Sequence, residues 1–236
     1  MIDIPFISSL PRLLAVHNIR VPRVVMISRW ISLIYNLSEA DAYFKSEVRI
    51  QKGGRRELEF FAHSEDLSDP ENQILRQDIK FWDKYGFRCL YVGYLEDASR
   101  PFCMQFLIDK SDNHRFVNMD YGGMYQHLNS DMIHAEGGYV RKDLRGKHLF
   151  PKFRNTMHKM LYLKGKKVVR SHIASNKRQI PSLKVAAAVG FMADHWISMV
   201  MIRLPFCKSN VFVHHPIKDL DRSKLPLNLF IRRSGL

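Results

Sequence analysis

Apolar and polar positions recur along the chain with two periods, one near 3.6 and one near 2, and their order predicts most of its elements. After Pro22, the apolar positions Val25, Ile27, Ile31, Ile34 and Leu37 have a spacing that suits a helix better than a strand. Between Ser46 and Ala62, VRI and LEFF read as strand-like pieces around a Gly53-Gly54 turn. Ser68-Asp69-Pro70-Glu71 starts a helix, with proline early and acids in the first turn. Ile74, Leu75, Ile79 and Trp82 continue it at helical spacing until Gly86. CLYVGYL (89–95) and FCMQFLI (102–108) flank the turn-like EDASRP and predict a hairpin, and a third strand runs from Met132 to Val140. HLFPKFRNTMHKMLYLKG then reads as a helix ending at Gly165, KVVRSHIAS as a strand, PSLKVAAAVGF as a short helix, and HWISMVMIRL as a closing strand. His214-His215 fall in a tail that reads as loop.

This order packs naturally as a mixed sheet that carries a hairpin and has helices on its faces, an α/β (α+β) fold. Three parts are expected: a helical amino-terminal extension (1–40), the main domain (41–205), and a carboxy-terminal tail (206–236) packing on that domain. The most apolar stretch, Val24 to Leu37, is interrupted by Arg29 and falls short of the roughly 20 residues a membrane helix needs, so packing on the domain is expected of it. The amino terminus lacks the positive start and continuous apolar core of a secretion signal, and the expected location is the cytoplasm.

Charge changes the picture more than composition does. Lys and Arg number 37 against 23 Asp and Glu, a net charge of +14. The excess is concentrated between Arg141 and Arg178, where Asp143 is the one acid in a window that carries +12. A diffuse excess would suit nonspecific nucleic-acid binding, whereas a focused one suits a particular anionic ligand. No aromatic-basic interleaving of the kind that stacks RNA bases is present, so nucleic acid ranks last among the partners. Cys89, Cys103 and Cys207 are far apart, and no HExxH or Cys/His spacing occurs; no metal site is expected.

The core of the basic window is Val140-Arg141-Lys142-Asp143-Leu144-Arg145-Gly146-Lys147-His148-Leu149-Phe150. Downstream, Ser182-Leu183-Lys184-Val185 leads to Gly190-Phe191. Together with the helix and strand between them, these segments resemble the GNAT superfamily of N-acyltransferases. In that family a strand ends in Val-x-Pro-x-x-Arg-Gly-Lys-Gly-x-Gly, and a later short helix reads Asn-x-x-Ser-x-x-Val and ends in Gly-Phe. The resemblance covers about 70 residues, from Met132 to Leu204, and extends to 69–108 only as a pattern of elements.

The resemblance implies acyl transfer from acetyl-CoA or another acyl-CoA to a small-molecule or peptide amine. Backbone N–H groups at the helix start and nearby Lys or Arg would hold the pyrophosphate. Strand ends near Val140 and Ser171 would splay and pair with the pantetheine arm. The binding set so implied is Val140, Arg145, Gly146, Lys147, His148, Leu149, Phe150, Ser171 and Ser182. The chain departs from the pattern at four places. His148 and Phe150 stand where small residues let the backbone approach a diphosphate. Gln179 replaces the expected Asn, and Ala186 replaces a tyrosine that protonates the departing thiolate in many members.

Transfer to an amine needs a base. Glu136 and His134, two apart and so on one strand face, are the candidates, Glu136 first because a glutamate on this strand serves as base in several members of the family. Tyr139 and Tyr162 are possible acids, and Arg154 faces either phosphate or solvent. The bulk at 148 and 150 keeps a second donor in play, the phosphopantetheine of an acyl carrier protein, which has no adenosine diphosphate and whose acidic helices would suit the basic surface. The loop from Asp109 to Asp131 is the place expected to meet the acceptor, and a homodimer is left open.

Overall fold

The computed structural model describes residues 25–39, 48–63, 70–96, 98–119, 121–175, 179–204 and 207–217. Eight strands form one sheet: β1 (Val25–Asn36), β2 (Val48–Lys52), β3 (Leu90–Leu95), β4 (Cys103–Ile108), β5 (Met132–Val140), β6 (Val168–Ala174), β7 (Met192–Leu204) and β8 (Cys207–Pro216). Their order is β2-β3-β4-β5-β6-β1-β7-β8. Every neighbouring pair is antiparallel except β5 and β6, which run parallel. The helices are α1 (Arg55–His63), α2 (Pro70–Lys84), α3 (Asn113–Val117), α4 (Leu149–Leu163) and α5 (Ile180–Ala188). No helix among the described residues is long and apolar enough to cross a membrane.

Both faces of the sheet are covered. On one, Phe153, Met157 and Leu161 of α4 and Leu183 of α5 pack on Ile31, Leu33, Ile133 and Val169. On the other, Phe61 of α1 and Leu75, Ile79 and Trp82 of α2 pack on Val92, Met104 and Phe106. Burial on this scale is the main driving force for the fold, at about 25 cal/mol per Å² of apolar surface.

Three expectations are corrected. Residues 25–36 are a strand, not a helix: β1 lies between β6 and β7 and pairs with both. The inner half of β1 is buried on both faces, and its buried positions alternate between them. Here Ile31, Leu33 and Tyr35 face α4 while Ser32 is fully buried on the other side. Residues 1–24 of the expected extension lie outside the described residues. LEFF belongs to α1, not to a strand. Leu58 and Phe61, three apart, put one helical stripe on the core, and the Gly54 N–H is capped by Glu57 Oε2 at 2.8 Å. His214 and His215 lie in β8, which pairs with β7 along its whole length; of the expected tail, 218–236 lie outside the described residues.

The predicted α2, the β3–β4 hairpin, β5, α4, β6, α5 and β7 all form. Gly86, Gly165 and Gly190, placed at helix ends by sequence, adopt φ of +74°, +76° and +90°.

Candidate functional site

The parallel pair is short. Met132, Ile133 and His134 of β5 pair with Val168, Val169 and Arg170 of β6, and the ladder stops there. β5 runs on for six residues alongside β4, with an irregular register around Gln105. Gly137 sits in this bulge at φ +59°, a conformation that suits glycine, and a Cβ there would come within 3.0 Å of Phe106. The two strands therefore part after His134 and Arg170, next to Ser171 on β6 and six residues before Val140 on β5.

A side chain takes the place of the next ladder bond. The backbone N–H of His172 on β6 donates to Glu136 Oε1 at 3.1 Å. The same oxygen lies 2.7 Å from His134 Nε2. Glu136 thus spans the root of the fork, and the two residues expected to share a strand face meet there. His134 and His172 are buried, and Glu136 is nearly so. His172 Nδ1 is buried with no hydrogen-bond partner. Burial, followed by the neighbouring His134, holds the His172 imidazole well below the usual histidine range, so it is neutral. His134, Glu136 and His172 offer three ligand atoms within 4.8 Å of one another, a two-nitrogen, one-oxygen set able to hold a zinc-class ion. Nothing in the sequence spacing marks this set, because His172 joins the others only through the parallel pairing.

Tyr125 was also missed. It comes from the 109–131 loop, and its ring contacts those of His134 and His172 at centroid distances of 4.9 and 5.3 Å. Burial and the negative charges of Glu136 and Asp78 push its phenol well above the usual range. Tyr162, by contrast, is exposed on α4.

A cleft of about 130 Å³ lies on the α2 side, lined by Leu75, Asp78, Trp82, Phe106, the Gly137–Tyr139 backbone turn and Arg145, among others. The Asp78 carboxyl is pushed up to about 6, first by burial and then by Glu136. Water reaches Asp78 as a residue, which screens this effect in part.

Beyond Val140 the chain makes a tight turn over Lys142–Leu144 and enters α4. Gly146 has φ +78° with open space where a side chain would stand, and His148, the helix N-cap, is left-handed at φ 54°. Among the described residues, no acceptor takes the backbone N–H of residues 146–150. They form a row of free donors at the start of a 15-residue helix that has no acid in its first turn. Pro151 removes the next donor. Lys147 is exposed here, whereas Arg145 turns back: its Nε donates to the Val140 carbonyl at 3.2 Å and its guanidinium lies over Tyr139.

Leu149 packs against the core beside α4, and Phe150 turns inward. Its ring lies against Gly138, where an added Cβ would meet Phe150 Cζ at 2.8 Å, and it stacks on Phe153. The Arg154 guanidinium lies over Phe150 at 5.2 Å and over Phe191 at 5.3 Å. Arg154 is 7% exposed, so it does not lie on a solvated helix face. Ser171 is buried on β6, opposite Leu33 of β1, one residue past the last rung. Ser182 is exposed in the first turn of α5, and no contact joins it to the fork.

No family model and no curated protein matches the sequence. Solved structures do match in shape. A GCN5-related glucosamine N-acetyltransferase region of a fungal multi-domain GH3 β-N-acetylglucosaminidase aligns at TM-score 0.51 and 11% identity, over 83% of this chain and 23% of the fungal one. A conserved Staphylococcus epidermidis protein of unknown function aligns at TM-score 0.50 and 11% identity, over 85% of this chain and 67% of its own. A Drosophila protein matches at TM-score 0.46 and 10% identity, over 86% of this chain, which spans 59% of that protein's length. With a mostly antiparallel sheet opened at one parallel pair and helices on both faces, the chain has the fold of the GCN5-related N-acetyltransferases.

Proposed function

We propose that the chain is an N-acyltransferase that moves an acyl group from an acyl-CoA thioester to an amine by direct attack. The observation that carries this reading is the fork: a parallel pair that ends at His134 and Arg170, with Glu136 in the opening and free N–H groups of residues 146–150 at the adjoining helix start. Those amides, the helix dipole and Lys147 supply donors and positive charge for a phosphate. The backbone edges of β5 and β6 beyond the last rung suit the amide groups of a pantetheine arm.

The amine arrives as an ammonium through the α2 cleft, where Asp78 and Glu136 supply negative charge. Glu136, held by His134 and the His172 amide, takes the proton, with His134 sharing it across their 2.7 Å contact. The amine nitrogen then attacks the thioester carbon, the carbonyl electrons move onto oxygen, and the tetrahedral species collapses to an amide and a thiolate, with the nitrogen's remaining extra proton passing to the group that protonates the thiolate. The thiolate needs a proton. Tyr125, against the His134 and His172 rings, is placed to supply it. Because burial raises its pKa, the phenol keeps its proton until a strong base forms beside it.

A donor carried on the phosphopantetheine of an acyl carrier protein is a second reading, favoured by the Phe150 ring against Gly138 and by the donor lost at Pro151. Calorimetric titration with CoA, acetyl-CoA and acyl carrier protein at low salt, with thiol release measured over an amine panel, tests both. Binding and amine-dependent thiol release with acyl-CoA support the first reading. Saturable binding of the carrier protein alone supports the second, and no binding by any of them refutes both.

A further inference from the structure

The α4 side of the fork holds polar groups that nothing in the fold satisfies. Arg154 Nη1 is buried without a hydrogen bond, and no carboxylate among the described residues forms an ion pair with the guanidinium. Glu136 acts on it only through its field, and the nearby Cys103 thiol is held neutral by burial. His158, one turn further along α4, is fully buried with both ring nitrogens unpartnered, and burial followed by the Arg154 charge keeps it neutral. On β4, Gln105 is fully buried with both amide atoms unpartnered, and its Nε2 lies 3.4 Å from where a Gly138 Cβ would be, beside Phe150. These groups flank the same two rings, Phe150 and Phe191, just behind the point where β5 and β6 part.

A buried guanidinium with no counter-charge is costly, and folded proteins rarely keep one without a use. Phe150 and Phe191 cover it by cation–π contact, which leaves its N–H edge as the part able to bind. That edge matches a carboxylate or a phosphate, which accept two parallel hydrogen bonds from one arginine.

We propose that Arg154, assisted by Gln105, anchors an anionic oxygen group, a carboxylate or a phosphate, on the molecule that enters the fork. This rests on the reading that the acyl donor enters between β5 and β6, and it adds that the donor carries negative charge there. A carboxylate would come from a dicarboxylic acyl group, and a phosphate from the pantetheine arm. The bulk of Phe150 then has a purpose, as one wall of the arginine's aromatic slot.

Arg154→Met removes the charge at similar volume, and three measurements on the full chain follow. First, without ligand the variant melts above the wild type, by about 2–4 °C for each kcal/mol of burial cost removed. Second, succinyl-CoA binds the wild type more tightly than acetyl-CoA if the anion is the acyl carboxylate, and phosphopantetheine binds more tightly than pantetheine if it is the phosphate. Whichever preference exists falls at least about thirtyfold in the variant. Third, free succinate and inorganic phosphate raise the melting temperature of the wild type more than that of the variant. The proposal is overturned if the variant melts lower and keeps every ligand preference, or if the wild type has none. Should acyl-CoA fail to bind while succinate or phosphate still stabilises the wild type through Arg154, the acyl-transfer reading fails and the anion site stands.

Discussion

Glu136 has a structural and a chemical role, and two substitutions separate them. Its Oε1 accepts from His134 Nε2 at 2.7 Å and from the His172 N–H at 3.1 Å, in a site almost closed to water. Glu136→Ala removes the acceptor of both bonds and leaves the His134 Nε2 and the buried His172 N–H without a partner. At about 1–3 kcal/mol for each orphaned group, a loss of about 2–4 kcal/mol is expected. Glu136→Gln keeps an oxygen for both donors and loses only the charge, about 1–2 kcal/mol, part of it returned because Asp78 no longer faces a carboxylate. Stability therefore ranks wild type, Gln, Ala in a urea titration. Activity ranks differently. A general base contributes about 10²–10⁴ in rate, so the Gln variant should lose kcat nearly as fully as the Ala variant, with KM little changed. A Gln variant with undiminished kcat would refute the base assignment and leave Glu136 as the strut of the fork.

Asp78→Asn tests the crowding of carboxylates in the cleft. A carboxyl raised from 3.8 to about 6 in the fold binds more protons folded than unfolded between those values, so stability falls as pH rises through them. The Asn variant should exceed the wild type above pH 6 by on the order of 1 kcal/mol after solvent screening, and match it below pH 4; an equal gap at both pH values would show that titration is not the cause. His158, pushed down to about 3, reverses the sign: its contribution is complete above pH 6.5 and is lost as pH falls, at up to about 1.4 kcal/mol per pH unit. His158→Phe, which keeps a ring against Tyr35, should flatten the acid side of the stability profile, and an unchanged slope would sink this account. Phe150→Ala removes one wall of the Arg154 slot, so acyl-CoA should bind more weakly by calorimetry; tighter binding would make the ring an obstacle beside Gly138 instead.

The helices that sequence made legible have one exposed face, and the β3–β4 hairpin was legible through its turn, although β4 is buried throughout. In α2, Leu75, Ile79 and Trp82 form a stripe against polar neighbours, and in α4 a similar stripe ends at Gly165. β1 misled because Ile27, Ile31, Ile34 and Leu37 also fit a helical spacing, although its buried Ile31, Leu33 and Tyr35 alternate as in a strand, and β8 because an edge strand carries polar and apolar residues on the same terms as a loop. The turn into α4 was legible through Arg145-Gly146-Lys147, but the roles within it were not. Arg145 returns to its own strand, and Arg154, expected to face either phosphate or solvent, enters the core. His134 and Glu136 could be placed together from their spacing of two. His172 and Tyr125 could not, since only the parallel pairing and the fold of the 109–131 loop bring them in.

The fork itself is written in four residues, His134 and Glu136-Gly137-Gly138. Parallel strands that begin to pair normally continue, because each rung satisfies a buried N–H and C=O. Pairing ends here because the next N–H of β6 is claimed by a carboxylate from β5, which His134 holds in place. Gly137 lets β5 bulge against β4 in a left-handed conformation, and Gly138 leaves room for Phe150. The opening is thus built into the chain before any ligand arrives, and the groups left without partners around it, His172 Nδ1, Gln105 and Arg154, mark where a ligand's polar atoms have most to gain. Binding there requires no strand to separate, so affinity should depend on the chemistry of those groups more than on the stability of the sheet.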